Sequence, residues 1–230
     1  MNPTNGPVEV ALGAGRVHRL ISPVLDRVLA TVGLVLASPL LLAIAIAIRL
    51  ESPGPAIFRQ RRVGHEGAEF TLYKFRTMRA GVSDAPHRTY VRSLLGEPDD
   101  GEASAGSGPA PDGVFKLAND DRITRVGRLL RRTSLDELPQ LVNVLKGEMA
   151  LVGPRPALDY EVDLYREEDF VRFAVHPGIT GLWQTTARNT VDMRAMLEID
   201  RQYVAQQSLA LDLRILARTV VEVLHPSGAR

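Results

Sequence analysis

The sequence predicts an α+β fold, mainly helical, carried on a single membrane element. Three observations predict it. The stretch from Val28 to Ile48 holds no charged residue, two short β-type pieces follow it, and the C-terminal third repeats apolar residues at helical spacing.

The elements follow in chain order. Residues 1–19 are punctuated by Gly and Pro and read as a flexible N-terminal tail. Residues 20–50 form the membrane element, with an apolar run close to the roughly 20 residues that cross a bilayer core. A cleaved signal fits poorly, because its apolar region is only about 7–15 residues long. Ser38-Pro39 interrupts the run. Proline removes a backbone donor and clashes with the preceding turn, and a serine hydroxyl can bond back to a freed carbonyl. The residues leave three readings open: a kinked span, a buried core helix, or a re-entrant hairpin bent at Ser38 and Pro39. Arg16, Arg19 and Arg27 precede the run; Arg49, Arg59, Arg61, Arg62, Lys74, Arg76 and Arg79 follow it. Cations on both flanks favour two cytoplasmic ends, while the excess after the run also suits one N-out span.

Residues 51–230 read as one globular domain without internal repeats. Ala56–Gln60 and Glu69–Arg76, joined by "VGHEG", predict a small β-hairpin. "SDAPHRTYVRSLL" predicts a helix. Residues 96–113, nearly devoid of large apolar side chains, predict a flexible insert. "DDRITRVGRLLRRTS" predicts a basic helix that ends before Ser134. "EVDLYREEDFVRFAV" predicts a further helix, and "HPGITGLWQTTARN" an irregular segment around Trp183. Two helices close the chain. In the second, Arg214, Arg218 and Glu222 form a polar stripe, and Leu209, Leu213, Leu216 and Val220 an apolar face for the domain or the membrane interface.

Composition excludes several functions. The chain has no cysteine, hence no disulfide or Cys-based zinc site, and its five histidines are scattered. With 28 Lys+Arg against 27 Asp+Glu, bulk charge does not point to nucleic acid. The basic residues are not interleaved with aromatics for base stacking, so no nucleic-acid partner is expected.

The chemistry concentrates in "TSLDELPQLVNVLKGEMALVGPRP". Ser134 and Glu137 stand at capping-box spacing, and Asp136 suits a positive helix end. The same placement predicts a lowered carboxyl pKa and an ionised nucleophile. Glu137 beside it offers oxygen to Mg²⁺. Arg131, Arg132 and Arg155 supply cations for phosphate, and two prolines restrict the backbone around Arg155. Each piece also has a plain structural reading: a cap, a solvated basic face, a turn.

Taken in order, these motifs resemble a known family. The Ser38-Pro39 break, "GPAIFRQRRVG", "YKFRTM", the block from Asp120 to Pro156, "HPGITGLWQ" and "LDLRILARTV" are similar to the monotopic polyprenyl-phosphate phosphoglycosyl transferases, the bacterial sugar transferases, in minimal catalytic-domain form. The resemblance implies a monotopic membrane protein with a Ser-Pro-kinked re-entrant helix hairpin, a small β-hairpin and amphipathic interfacial helices. It implies transfer of sugar-1-phosphate from a UDP-sugar to undecaprenyl phosphate, with release of UMP and a covalent Asp-phosphosugar intermediate. That reaction would initiate a polysaccharide or glycoconjugate on the cytoplasmic face of the bacterial inner membrane. Asp136 matches the nucleophile and Glu137 the metal-binding acid of the dyad. Arg131 and Arg155 match phosphate-binding positions, and Arg188, with Lys74 and Arg76, nucleotide-binding ones. Asp212 matches a supporting acid, and Ser38-Pro39 the membrane bend. Membrane lipids are further partners, and the resemblance leaves room for a homo-oligomer. Two departures stand out: His176 replaces the usual Lys or Arg before "PGITG", and Ala187 the usual glycine before Arg188. The competing reading is a non-catalytic membrane-surface module that binds anionic lipids through its basic helix.

Overall fold

A computed structural model describes residues 15–79, 88–89, 91–92, 95, 122–186 and 192–224. Most of the N-terminal tail, eight of the thirteen residues from 83 to 95, the 96–113 insert and Arg188 lie outside the described residues.

The uncharged run forms one helix, α1 (Arg16–Glu51), which contains both Pro23 and Pro39. Pro39 lacks the N–H that would reach the Val35 carbonyl four residues back. The Ser38 hydroxyl donates to that carbonyl at 2.8 Å, which keeps the break satisfied. The helix is long and apolar enough to cross a membrane. Both of its halves nevertheless pack on the domain. Ala30 joins Leu72, Val144 and Met149 in one core cluster, and Ile44 and Ile48 join Phe75 and Leu130 in another. The opposite face is exposed along its length, through Val24, Val28, Val32, Val35, Leu36, Leu42, Ile46 and Leu50.

Strands β1 (Ile57–Val63) and β2 (Glu69–Phe75) pair antiparallel, from Ile57↔Phe75 to Val63↔Glu69. The expected hairpin is present; its turn uses Glu66 and Gly67 at positive φ. Helix α2 (Arg125–Thr133) starts at Thr124, whose side chain accepts from Gly127 N. A 3-10 segment (Leu135–Gln140) leads into helix α3 (Leu141–Lys146). The buried Asn143 ties α3 to β2, donating to Thr71 O at 2.7 Å and accepting from Tyr73 N at 3.2 Å.

The second half departs from the sequence expectations. Strand β3 (Ala150–Val152) pairs parallel with β4 (Gly178–Thr180), inside the segment expected to be irregular, and helix α5 (Leu182–Thr186) follows. Turn residues misled here: Gly178 serves close approach, since a Cβ on it would lie 2.1 Å from Gly153 N. The single helix expected over 161–175 is helix α4 (Asp159–Val162) and a 3-10 segment (Glu167–Ala174). Helices α6 (Met193–Gln206) and α7 (Leu209–Leu224) close the described chain. The apolar face expected of α7 is divided. Leu216 packs inward beside Ile215 and Leu211, while Leu213 and Val220 stay exposed.

Candidate active site

Asp136 and Glu137 sit on the 3-10 segment that packs against β2. The expected capping box does not form. Ser134 adopts a left-handed conformation (φ 57°) that ends α2, makes no side-chain cap, and its carbonyl accepts the main-chain N–H of Glu137. Glu137 turns to Lys74 instead, with Oε1 3.0 Å from Nζ.

The lowered Asp136 pKa expected from a helix end is also corrected. Burial first, and then the charge of Glu137, push this carboxyl up to about 6, against the weaker pull of Lys74 and Arg131. A short 3-10 segment has little dipole to offset that desolvation, and the bond from the main-chain N–H of Asp136 lowers the pKa less than burial raises it. The acid is ionised at neutral pH yet close to its titration range.

The cations separate into two groups. Lys74 and Arg131 act on Asp136, and Arg131 is steadied by Nε donation to Thr77 Oγ1 at 2.9 Å. Arg62 is buried and lies within electrostatic reach of both Arg155 and Glu137, which links the "GPRP" turn to the acid pair. Burial, then Arg155, lower the Arg62 guanidinium to about 10. Sequence reasoning missed Arg62, its partner Gln60, and Thr77. Alternation on β1 only separates Arg61 from Arg62; it does not tell which side is buried.

Two expected residues are not brought to the acids. Arg76 lies just past β2 and is buried. Its guanidinium donates to Pro53 O at 2.7 Å, Ser52 O at 2.7 Å and Ser52 Oγ at 2.9 Å, closing the C-terminal end of α1. Asp212 is buried where α7 meets α1, accepting from Tyr203 Oη at 2.8 Å and paired with His18 Nε2 at 2.7 Å. Both are structural clamps on α1. His176 stacks on His65, ring centroids 4.3 Å apart, in a cleft of about 390 Å³ beside α1. Burial, with His65 and Arg27 adding, lowers its pKa, so the neutral ring prevails at pH 7.

Asp136 and Glu137 are the acids available for a metal here; among the described residues no group of three His, Asp or Glu forms a metal cage. Two adjacent carboxylates fit a hard cation that completes its shell with substrate phosphate and water. The arrangement can hold a polyanion among cations while presenting a carboxylate oxygen to phosphorus.

The chain also has recognisable relatives among known proteins. A profile of the family described as "Bacterial sugar transferase" matches residues 17–226. The chain is 39% identical to an undecaprenyl-phosphate galactose phosphotransferase of Salmonella typhimurium, over 94% of this chain and 43% of that protein. It is 42% identical to a UDP-glucose:undecaprenyl-phosphate glucose-1-phosphate transferase of Caulobacter vibrioides, over 90% of this chain and 70% of that protein. It is 39% identical to the exopolysaccharide production protein ExoY of Rhizobium meliloti, over 89% and 85%. The chain thus spans less than half the length of the Salmonella relative and most of the length of the other two.

Proposed function

The chain belongs to the bacterial sugar transferase family, and on that premise we propose that it transfers sugar-1-phosphate from a UDP-sugar to undecaprenyl phosphate. The observation that carries the proposal is the half-buried Asp136–Glu137 pair, with Lys74 and Arg131 acting on Asp136 and Arg62 within electrostatic reach of Glu137. Catalysis of phosphoryl transfer is mostly positioning and neutralisation of charge, and this arrangement supplies both.

In the first step an Asp136 carboxylate oxygen bonds to the sugar-bearing phosphorus. The bond from that phosphorus to the bridging oxygen breaks, and UMP leaves with the electron pair. In the second step a phosphate oxygen of undecaprenyl phosphate attacks the same phosphorus and expels Asp136, giving the lipid-linked diphosphate sugar. Lys74, Arg131 and Arg155 bind and orient the phosphate oxygens. Arg188, outside the described residues, would contact the nucleotide. Mg²⁺, held by Glu137 beside Asp136, would neutralise charge on the diphosphate.

The acceptor's phosphate lies at headgroup level and the donor is a cytosolic polyanion, so the site belongs at the cytoplasmic membrane surface. Re-entrant placement of α1 fits its packing. A helix whose two halves both rest on one domain, with its outer face apolar and exposed, is suited to dipping into one leaflet, with Ser38-Pro39 as the bend. Exposed Leu213, Val220 and Val221 on α7 extend the apolar surface.

The test incubates purified protein with Mg²⁺, undecaprenyl phosphate and a panel of UDP-sugars, and follows UMP and lipid-linked product. Omitting the acceptor is expected to leave a sugar-phosphate adduct on the Asp136 peptide, detected by mass spectrometry. Folded protein that releases no UMP across the panel ends the proposal; turnover by Asp136→Asn ends the covalent step.

A further inference from the structure

The turn from Gly153 to Pro156 carries Arg155, and its backbone is bonded on every side. Gly153 N donates to Thr180 O at 2.9 Å, and Gly178 N donates to Pro154 O at 2.9 Å. Ala157 and Val63 exchange both main-chain bonds, at 3.2 and 2.9 Å. Two of the three remaining carbonyls, those of Arg155 and Pro156, are each met by a buried guanidinium. Arg172 Nη2 donates to Arg155 O at 2.7 Å, and Arg62 Nη1 donates to Pro156 O at 2.8 Å.

Those two guanidiniums are themselves fixed. Arg172 pairs with Asp200 at 2.9 Å, both side chains 2% exposed, and also donates to Tyr165 Oη. Arg62 donates to Gln60 Oε1 through Nε at 3.1 Å and Nη2 at 2.7 Å. A buried ion pair is a poor way to add stability, because desolvation offsets its attraction and an apolar pair often does as well. What it supplies is geometry.

Pro154 and Pro156 have no N–H. Among the described residues, Arg155 therefore keeps the one main-chain donor between them, and neither that N–H nor its guanidinium has a hydrogen-bond partner there. We propose that Arg62 and the Arg172–Asp200 pair are positioning residues that lock this turn so that Arg155 offers its main-chain N–H and its guanidinium together to a phosphate oxygen of the donor. The inference rests on the phosphate-binding reading of Arg155 given above. Two donors from one rigid residue bind an oxyanion with little ordering cost.

The experiment measures UDP affinity by calorimetry and KM and kcat for UMP release, on the full chain in detergent. The variants are the paired replacement Arg172→Met with Asp200→Leu, the single Arg62→Lys, Arg155→Ala, and each clamp change combined with Arg155→Ala. The clamp variants are expected to melt near the parent's temperature, to weaken UDP binding and raise KM about tenfold, and to change kcat less. In the Arg155→Ala background the same changes are expected to add less than about twofold, because they act through Arg155. Full multiplication of the two effects, or clamp variants with unchanged UDP affinity, overturns the proposal. If the paired replacement fails to fold, Arg62→Lys decides by the same criteria. Arg155→Ala with unchanged UDP affinity instead removes the phosphate-binding reading itself, a distinct result.

Discussion

Lys74 Nζ lies 3.0 Å from Glu137 Oε1, so β2 delivers its cation to the second acid of the pair and only its field to the first. Asp136 is thereby left to burial and to its anionic neighbour, which push its pKa up to about 6. The nucleophile must be ionised to attack. UMP release is expected to rise with pH through about 6, with kcat/KM as the measurement. Lys74→Met removes one of the two cations that lower this pKa and is expected to shift the rise to higher pH, while Lys74→Arg keeps it in place. An identical profile in Lys74→Met contradicts the assignment.

The same elevated pKa has a stability consequence of definite sign. Between the ordinary value of 3.8 and about 6, the folded chain holds a proton that the unfolded chain has lost. Asp136 therefore costs stability as pH rises through that window, and the cost is complete above it. Asp136→Asn is expected to abolish turnover and to raise stability by about 1–2 kcal/mol at pH 8, after discounting for solvent screening. The gain should vanish near pH 4. Urea midpoints at the two pH values measure it, and a destabilised variant at pH 8 goes against the burial argument.

Gly127 packs its α-carbon against the strand extension that carries Thr77. A Cβ there would stand 2.1 Å from Thr77 O and 2.8 Å from Thr124 Oγ1. Gly127→Ala is expected to cost about 1–3 kcal/mol by overpacking. It should also lower kcat/KM, because Thr77 steadies Arg131. Thermal melting and UMP release on one preparation check both; unchanged melting contradicts the close packing.

The absence of cysteine makes topology directly measurable. Cysteines placed by Gly15→Cys and Arg59→Cys flank α1, and both are expected to react with an impermeant maleimide only from the cytoplasmic side. Labelling from opposite faces would replace the re-entrant helix by a span.

Much of this architecture was legible in the sequence. The uncharged run, the β-hairpin and the last two helices follow from periodicity and turn residues, and the Ser38 bond to Val35 O from the chemistry of a proline break. The acid pair could be singled out because two carboxylates stand beside a cluster of arginines. The parallel pairing of β3 with β4 was not legible. It joins three-residue strands far apart in sequence, where no local pattern can declare itself.

Residue types and their order determined which groups this protein has for chemistry: two adjacent acids, flanking cations, and a long apolar helix. Tertiary structure decided which of them meet. Arg76 and Asp212, as polar as Lys74 and Glu137, are drawn off to clamp α1, whereas Arg62, unmarked in its strand, is buried beside the acids. Charge and spacing are local properties of a chain. Burial, which sets both the pKa of Asp136 and the partner of each arginine, arises only when distant segments close over one another.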